Sequence, residues 1–404
     1  MSRLARLGGL LQEGSLYGLL FLLPFSKAAV EIAFGVLLCG WLLERIAAGR
    51  RVPSVWTSPP YRPLLIGIGL YLAACALSIP ASTHPAASLR ALISKWLEYL
   101  LFLVIVADTV QQPRVARRGL TVLLASSVLV VLESVAQEFW GKGLIRGYPL
   151  LTYERMTGPY ENPIDLATYL MVVIVVLLGM LRSARGGLRW ALGVLLTLLI
   201  GCFARTEALG AWIGLAAGLA AVVALDPSWR RAAALALGSV ALAAAAALVW
   251  VGRLGSVVAW DEIGKVDRWD MWQAALGMIR DRPILGHGLN TFMANYLAYW
   301  VGGEQQPRYA HNCYLQVAAE TGVIGLAAFL MLLGALFGAL VRGASRLAPN
   351  DRPVGVGLIG ALVAFAVQAA LDTNFYSLRQ AALFWALAGL SLGLLQRREA
   401  SWRS

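Results

Sequence analysis

One histidine stands at the border between a polar segment and an apolar one. His311 lies in the stretch RYAHNCYLQVAAETGVIG (308–325), and it is one of three histidines among 404 residues. A neutral imidazole accepts a proton, and nearby arginines would disfavour its charged form. This position therefore indicates a general base. A histidine that caps the start of a helix is the alternative, whereas a pair with Cys313 is rejected because residues two apart on a helix face away from each other.

Arginines and aromatic residues near this border indicate an anion-binding site. Arg205 lies in GCFARTEALGAW (201–212), a break between two apolar segments, where a charge is costly unless it is paired or functional. Arg268 stands four residues before Trp272 and shares its helix face. A guanidinium group binds phosphate oxygens through a planar fork of donors. Further candidates for substrate contact are Arg155, Lys265, Arg308, Tyr160 and Trp272.

A simpler interpretation remains open for these residues. Long loops carry charges like those of soluble proteins, and tryptophans form belts at membrane interfaces. Four acidic residues near Arg268 are interspersed with basic ones, which favours ion pairs over a metal site; they are Asp261, Glu262, Asp267 and Asp270. The four cysteines lack metal-ligand spacing and are interpreted as packing residues; they are Cys39, Cys75, Cys202 and Cys313. The sequence therefore predicts a site without metal or cofactor.

Other charged residues fall within apolar segments. Lys27 and Glu31 stand four apart, and Lys95 and Glu98 stand three apart, so each pair is expected to neutralise itself on one helix face. His287, in the turn GHG, is predicted to be structural. Four acidic residues have no partner that spacing identifies: Glu133, Glu207, Glu320 and Asp372.

The elements that must position these residues are membrane helices. Hydrophobic residues make up 59% of the chain and charged residues only 14%, far from a soluble composition. Apolar runs of about 20 residues follow one another, which predicts an all-α polytopic membrane protein. The net charge of +12 is scattered between the apolar runs, which argues against nucleic-acid binding. Twelve spans are predicted, near 8–24, 28–46, 63–80, 88–107, 118–140, 163–181, 188–203, 208–225, 231–252, 313–341, 354–372 and 380–396.

Charge distribution predicts the orientation of these spans. Most Lys and Arg residues fall in alternate connections, which places both termini in the cytoplasm. The first segment resembles a signal peptide, but a second apolar run follows it at once, so a retained helical hairpin is expected. The chain then divides into nine spans (1–252), a long outer loop with helices of its own (253–312) and three spans with a short cytoplasmic tail (313–404).

Three stretches together resemble a known family. They are KVDRWDMWQAALGMIRDRPILGHGLNTF (265–292), HNCYLQVAAETGVIGL (311–326) and ARTEALGAW (204–212). The chain is similar in these motifs and in its layout to the O-antigen ligase and polymerase superfamily of bacterial inner-membrane glycosyltransferases. The element GPYENPIDLATYL (158–170) supports the likeness. Two positions depart from the family pattern: Ala204 stands where a serine is frequent, and Ile164 stands where the family often has the second asparagine of Asn-Pro-Asn.

The resemblance implies a fold and a reaction. It implies a GT-C-like bundle whose active site lies on the periplasmic face of the bacterial inner membrane. The donor would be O-antigen on undecaprenyl diphosphate, and the acceptor would be lipid A-core oligosaccharide. The family histidine matches His311, and its two arginines match Arg205 and Arg268. The reaction would be inverting and metal-independent, with His311 as base and the arginines on the diphosphate.

Three alternatives stay open on the sequence. An O-antigen polymerase would extend a glycan that is itself lipid-linked, and a protein O-oligosaccharyltransferase would use a Ser or Thr hydroxyl. A transporter or flippase for a lipid-linked anion belongs to another class. In that case the outer arginines would form a binding funnel, and intramembrane charges would line a path; those charges are Lys95, Glu98, Glu133 and Asp372.

Overall fold

The structure, a computed structural model, is helical throughout the part of the chain that it describes. It describes residues 3–49, 61–110, 113–150, 155–250, 257–300 and 309–395. The helices are α1 (Arg3–Leu22), α2 (Lys27–Ala47), α3 (Arg62–Ser78), α4 (Pro85–Ala91), α5 (Glu98–Thr109), α6 (Pro113–Trp140), α7 (Pro163–Ser183), α8 (Gly186–Ala204), α9 (Leu209–Leu225), α10 (Arg230–Trp250), α11 (Val257–Asp281), α12 (Phe292–Asn295), α13 (Cys313–Ala344), α14 (Arg352–Gln368) and α15 (Leu378–Leu395). A π-helical turn, Leu92–Leu97, joins α4 to α5.

The predicted apolar segments coincide with helices. Five helices are long and apolar enough to cross a membrane, namely α6, α7, α8, α13 and α15. Three shorter apolar helices, α3, α9 and α14, accompany them. The prediction of an all-α polytopic membrane protein is therefore confirmed, while the count of twelve spans and the GT-C-like arrangement stay predictions.

Small residues bring α14 close to α7 and α9. A Cβ atom on Gly218 of α9 would lie 2.6 Å from the carbonyl oxygen of Gly360 in α14. On the other side of α14, a Cβ on Gly357 would lie 3.1 Å from the Cα of Gly179 in α7. Glycine at such contacts lets helix backbones approach closely in a bilayer. The end of α14, at Gln368, leads into the turn that contains Asp372.

The segment between α10 and α13 forms a small core of its own. Its main helix, α11, ends at Asp281, just before Pro283, as the sequence predicts. One face of α11 packs on the start of α13. The buried residues of this core are Met271, Ala274, Ala275, Met278, Phe292, Tyr296, Ala310 and Ala319. The helix thereby holds residues 310 and 311 from one side.

A kink in α13 receives the turn GHG. Gly322 has φ 68° and ψ −173°, so the helical hydrogen bonds are interrupted there. The carbonyl of Ala319 instead accepts a bond from His287 N (3.0 Å), and Val323 N donates to Pro283 O (2.8 Å). A Cβ on Gly322 would collide with the carbonyl of Ile284. Two motifs that are separate in sequence therefore form one unit, and His287 is structural, as predicted.

Both predicted ion pairs within one helix face are wrong. Lys27 pairs instead with Glu161 at 3.3 Å, a residue 134 positions away, and Lys95 donates to Asn290 Oδ1 at 2.8 Å. Side chains at helical spacing can meet, but here a neighbouring element offers a closer partner. The spacing of residues along one helix does not predict a partner on another element.

Each of the four acidic residues for which the sequence identified no partner contacts a polar or charged group in the structure. Glu133 accepts bonds from the backbone N–H groups of Ile145 (2.6 Å) and Arg146 (2.8 Å). Glu320 accepts from four donors: Asn290 N, Phe292 N, Gln316 Nε2 and Tyr376 Oη. Glu207 and Asp372 contact candidate site residues. These acids therefore organise the fold and the site, and the path of charges that a transporter requires loses Glu133 to a structural role.

Candidate active site

His311 is held in an unusual backbone conformation directly before a helix. Its φ is 45°, in the left-handed region, and the helix begins two residues later at Cys313. Asn312 caps that helix, because its Oδ1 accepts bonds from Tyr314 N and Leu315 N, both at 3.0 Å. The alternative of a histidine cap is therefore wrong. A non-glycine residue with positive φ costs energy and is a feature of functional sites.

The imidazole of His311 faces a carboxylate. Its Nδ1 lies 3.0 Å from Oδ1 of Asp372, whose side chain is 11% exposed, while the side chain of His311 is 29% exposed. Among the described residues, Nε2 has no hydrogen-bond partner. When the carboxylate accepts the proton on Nδ1, Nε2 carries the free lone pair that a base needs. The group in contact with the imidazole is an acid, and the arginines expected near it stay a prediction.

Hydrogen bonds of the Cys313 backbone fix the positions of His311 and Asp372 relative to each other. Cys313 N donates to the carbonyl of Ala369 (2.8 Å) and to that of Asp372 (3.1 Å). The buried Cys313 thiol also lies 3.2 Å from the Asp372 carbonyl. The start of α13 is thus tied to the turn after α14, and Cys313 serves packing, as predicted. Asp372 escaped assignment because 61 positions separate it from His311.

Arg205 is buried and paired. It follows α8 directly, and its Nε and Nη2 donate to both carboxylate oxygens of Glu138 at 2.9–3.2 Å. Its Nη1 lies 3.5 Å from Glu207 Oε1. The bidentate fork expected for a diphosphate is therefore occupied by Glu138. A phosphate group could use these donors only in exchange for that carboxylate.

Arg155 is brought to the same helix break. Its Nε donates to the carbonyl of Thr206 (2.8 Å), and its Nη2 donates to that of Glu207 (3.2 Å). Glu207 has φ 50°, so the break has a strained residue like the one at His311. Arg155 therefore binds backbone carbonyls of the connection between α8 and α9.

The helix break and Asp372 belong to one region. A Cβ on Gly210, five residues after Arg205, would lie 3.2 Å from the Cβ of Leu371. Leu371 directly precedes Asp372. The start of α9 therefore packs on the turn that contains the His311 partner, which supports the sequence expectation that Arg205 and His311 serve one site.

Arg268 lies on α11, half-buried, and makes no hydrogen bond or ion pair with the described residues. It shares a helix face with Met271 and Ala275, which pack toward Ala310 and the start of α13. Trp272 is half-buried, and its indole N–H is buried without a partner among the described residues. The donors of Arg268 have no partner among the described residues, whereas the indole N–H of Trp272 is enclosed, and contact of either residue with a substrate stays a prediction. Lys265 lies on α11 with its side chain outside the described residues, and Arg308 lies outside them altogether.

Tyr160 lies beneath Arg379 in the interior of the protein. Its side chain is fully buried, and the guanidinium of Arg379 lies over its ring, 4.4 Å from the centroid. Arg379 also donates to the carbonyls of Pro24 (2.9 Å) and Pro159 (3.2 Å). Tyr160 therefore stabilises a junction of three segments, and its contact with a substrate stays a prediction. Arg379 was missed because it stands beside an apolar run without a motif.

Residue 287 adds no second base. Burial lowers the pKa of His287, Arg282 lowers it further, and a bond to the Met278 carbonyl opposes the shift. The imidazole is buried beneath the turn, and its Nε2 lies 3.1 Å from the Met278 carbonyl, which makes His287 a structural residue. No group of three or more His, Cys, Asp or Glu residues is arranged for a metal ion within the part of the chain that the structure describes. The metal-independent reaction stays a prediction.

Comparison with known proteins identifies the central part of the chain. Residues 192–330 match a family model described as O-antigen ligase. The exopolysaccharide production protein ExoQ of Rhizobium meliloti (strain 1021) is 29% identical over 149 residues, which cover 32% of this chain and 32% of that protein. The match thus covers about a third of the relative's length. The residues matched by the family model contain Arg205, Arg268 and His311, and they end before Asp372. The resemblance to this family is confirmed.

Proposed function

We propose, on the premise that residues 192–330 form an O-antigen ligase family region in a polytopic membrane protein, that this protein is a lipopolysaccharide O-antigen ligase. It transfers O-antigen from undecaprenyl diphosphate to lipid A-core on the periplasmic face of the inner membrane. The family implies a transferase of the polysaccharide ligase or polymerase type. The choice of acceptor is the proposal.

The contact between His311 and Asp372 carries this proposal. Nε2 of His311 takes the proton of an acceptor hydroxyl, and Asp372 stabilises the imidazolium that forms. The hydroxyl oxygen then bonds to the anomeric carbon as the bond to the diphosphate oxygen breaks. The leaving diphosphate takes the electron pair, so no covalent enzyme intermediate arises. Attack from the face opposite the diphosphate inverts the anomeric centre.

Positive charge stabilises the leaving diphosphate. Arg268 is a permanent cation without a partner among the described residues, so it is available to phosphate oxygens. Arg205 contributes when the phosphate exchanges with Glu138, or it holds the helix break in place. No metal ion is required by this scheme.

Polymerisation is the second candidate. The relative named above takes part in exopolysaccharide production, and a polymerase would use the same base and cations with a lipid-linked acceptor. A protein O-oligosaccharyltransferase needs a different acceptor again. A flippase is less well supported, because Glu133 and Asp372 have local partners.

A lipopolysaccharide gel of deletion cells separates these functions. Cells are complemented with wild type or His311→Ala, and lipid-linked glycan is extracted in parallel. A ligase predicts that His311→Ala leaves the core uncapped while long lipid-linked chains accumulate. The rate should fall by about 10²- to 10⁴-fold, the range for loss of a general base. Core that still carries one repeat unit would identify a polymerase, and normal transfer by His311→Ala would reject the base.

A further inference from the structure

Lys95 occupies an irregular helical turn beside the candidate site. It lies in the π-helical turn Leu92–Leu97 between α4 and α5. Such turns are rare, and they occur frequently at functional sites. The turn is fixed by the buried ring of Trp96, which packs on Tyr71 and Tyr376 at centroid distances of 4.9 and 5.8 Å. The position of Lys95 is therefore set by the fold.

The ammonium group of Lys95 is only partly satisfied. Its Nζ donates to Asn290 Oδ1 at 2.8 Å, and the side chain is half-buried. It forms no ion pair with a carboxylate of the described residues. An ammonium group has three donors, so two remain for a ligand. A half-buried cation is costly unless it is neutralised, and no carboxylate of the described residues is in contact with this one.

Glu320 attracts the ammonium electrostatically, but it makes no ion pair with it. Its carboxylate is fully buried, and it already accepts from four donors, among them Asn290 N (2.7 Å) and Tyr376 Oη (3.0 Å). Asn290 therefore stands between the ammonium and the acid, with φ 58°. A residue held in this conformation presents its amide oxygen to Lys95.

Lys95 and the His311 segment are anchored to this same acid. Gln316 donates to Glu320 at 3.2 Å and accepts from Ala310 N at 3.3 Å, directly before His311. Tyr309, two residues before His311, lies 6.2 Å from the ring of Tyr376. Lys95, through Asn290, and the His311 segment, through Gln316, are therefore both linked to the Glu320 carboxylate.

We infer that Lys95, held by Asn290, binds the diphosphate of the lipid-linked donor as a cation additional to Arg205 and Arg268. This inference rests on the proposed function. A compact ammonium with two open donors suits the terminal oxygens of a leaving diphosphate, whose charge increases as the glycosyl bond breaks. Partial burial strengthens the attraction relative to water.

Direct binding tests the inference without glycan transfer. Purified protein in lipid nanodiscs is titrated with labelled polyprenyl diphosphate that carries no glycan. Lys95→Met should weaken binding by about 10- to 100-fold, as for loss of a charged hydrogen bond. Lys27→Met, which removes an exposed lysine paired with Glu161, should leave binding unchanged. Thermal unfolding of each variant shows that it is folded.

A second variant separates binding from a structural role. Asn290→Gly keeps the positive φ but removes the amide oxygen that holds Lys95. If Lys95 only supports Asn290, Lys95→Met and Asn290→Gly should weaken the binding of polyprenyl diphosphate by the same small factor. That result would overturn the inference. If Lys95 binds diphosphate, Lys95→Met loses clearly more. Should Lys95→Met fail to fold, Lys95→Gln, which keeps a donor for Asn290, provides the comparison.

The two proposals fail in different ways. Absence of polyprenyl diphosphate binding by the wild type would reject the donor class, and the inference with it. Wild-type affinity in Lys95→Met would overturn the inference alone and leave the ligase proposal in place. Inorganic diphosphate is also used as a competitor. If Lys95→Met weakens the binding of both polyprenyl diphosphate and inorganic diphosphate, Lys95 recognises the diphosphate and not the lipid chain.

Discussion

Asp372 gives the proposed base a fixed orientation. The carboxylate contacts Nδ1 of His311 at 3.0 Å, and backbone bonds from Cys313 hold the turn that carries it. An amide in its place would retain the shape, but it would also stabilise the wrong tautomer and could not stabilise the imidazolium. Asp372 is therefore a positioning residue, which acts through His311.

Asp372→Asn should lower kcat by about 10²- to 10⁴-fold with little change in the KM for the donor. The measurement is transfer by purified protein in nanodiscs at varied donor concentration. Asp351→Asn is the matched control, because Asp351 pairs with Arg117 away from this site, and it should retain wild-type kcat. Wild-type turnover by Asp372→Asn would contradict the assigned pair.

At the scale of elements, the kink in α13 joins two motifs into one support. Gly322 interrupts the helix, and the turn at residues 283–288 bonds to the freed backbone groups. Glu320, two residues before the kink, accepts hydrogen bonds from the turn and from α13 itself. An alanine at 322 meets a positive φ and a collision with the Ile284 carbonyl.

Gly322→Ala should therefore lower stability by at least about 1–3 kcal/mol, the cost of a strained backbone conformation. The apparent melting temperature in detergent provides the measurement. Gly334→Ala lies in the same helix with open space around its Cβ, so it should be neutral or stabilising by up to about 1 kcal/mol. Equal melting temperatures for the two variants would show that the kink is not a stability determinant.

At the scale of the whole molecule, close packing of α9 on α14 brings the helix break and Asp372 together. Arg205 and Gly210 flank the start of α9, and Leu371 and Asp372 follow the end of α14. The contact of Gly218 with Gly360 sets the separation of these two helices. The site therefore depends on a contact far along each helix.

Gly218→Ala should force α9 and α14 apart, because its Cβ would lie 2.6 Å from a backbone oxygen. We expect a loss of about 1–3 kcal/mol in stability, as for other overpacked sites, together with lower transfer activity. Gly201→Ala in α8, whose Cβ meets open space, is the control for both readouts. If Gly218→Ala keeps full activity and stability, helix separation does not control the site.

The sequence by itself determined the helical membrane class, the segments that form helices, the family resemblance and the unusual position of His311. These features depend on hydropathy and local motifs, which are present in short windows of the chain. Only the tertiary structure decided the partners. Asp372 reaches His311, Glu138 occupies the fork of Arg205, and Tyr160 is buried beneath Arg379. The physical reason is that these contacts join elements far apart in sequence, and helix packing, not residue spacing, selects which side chains meet.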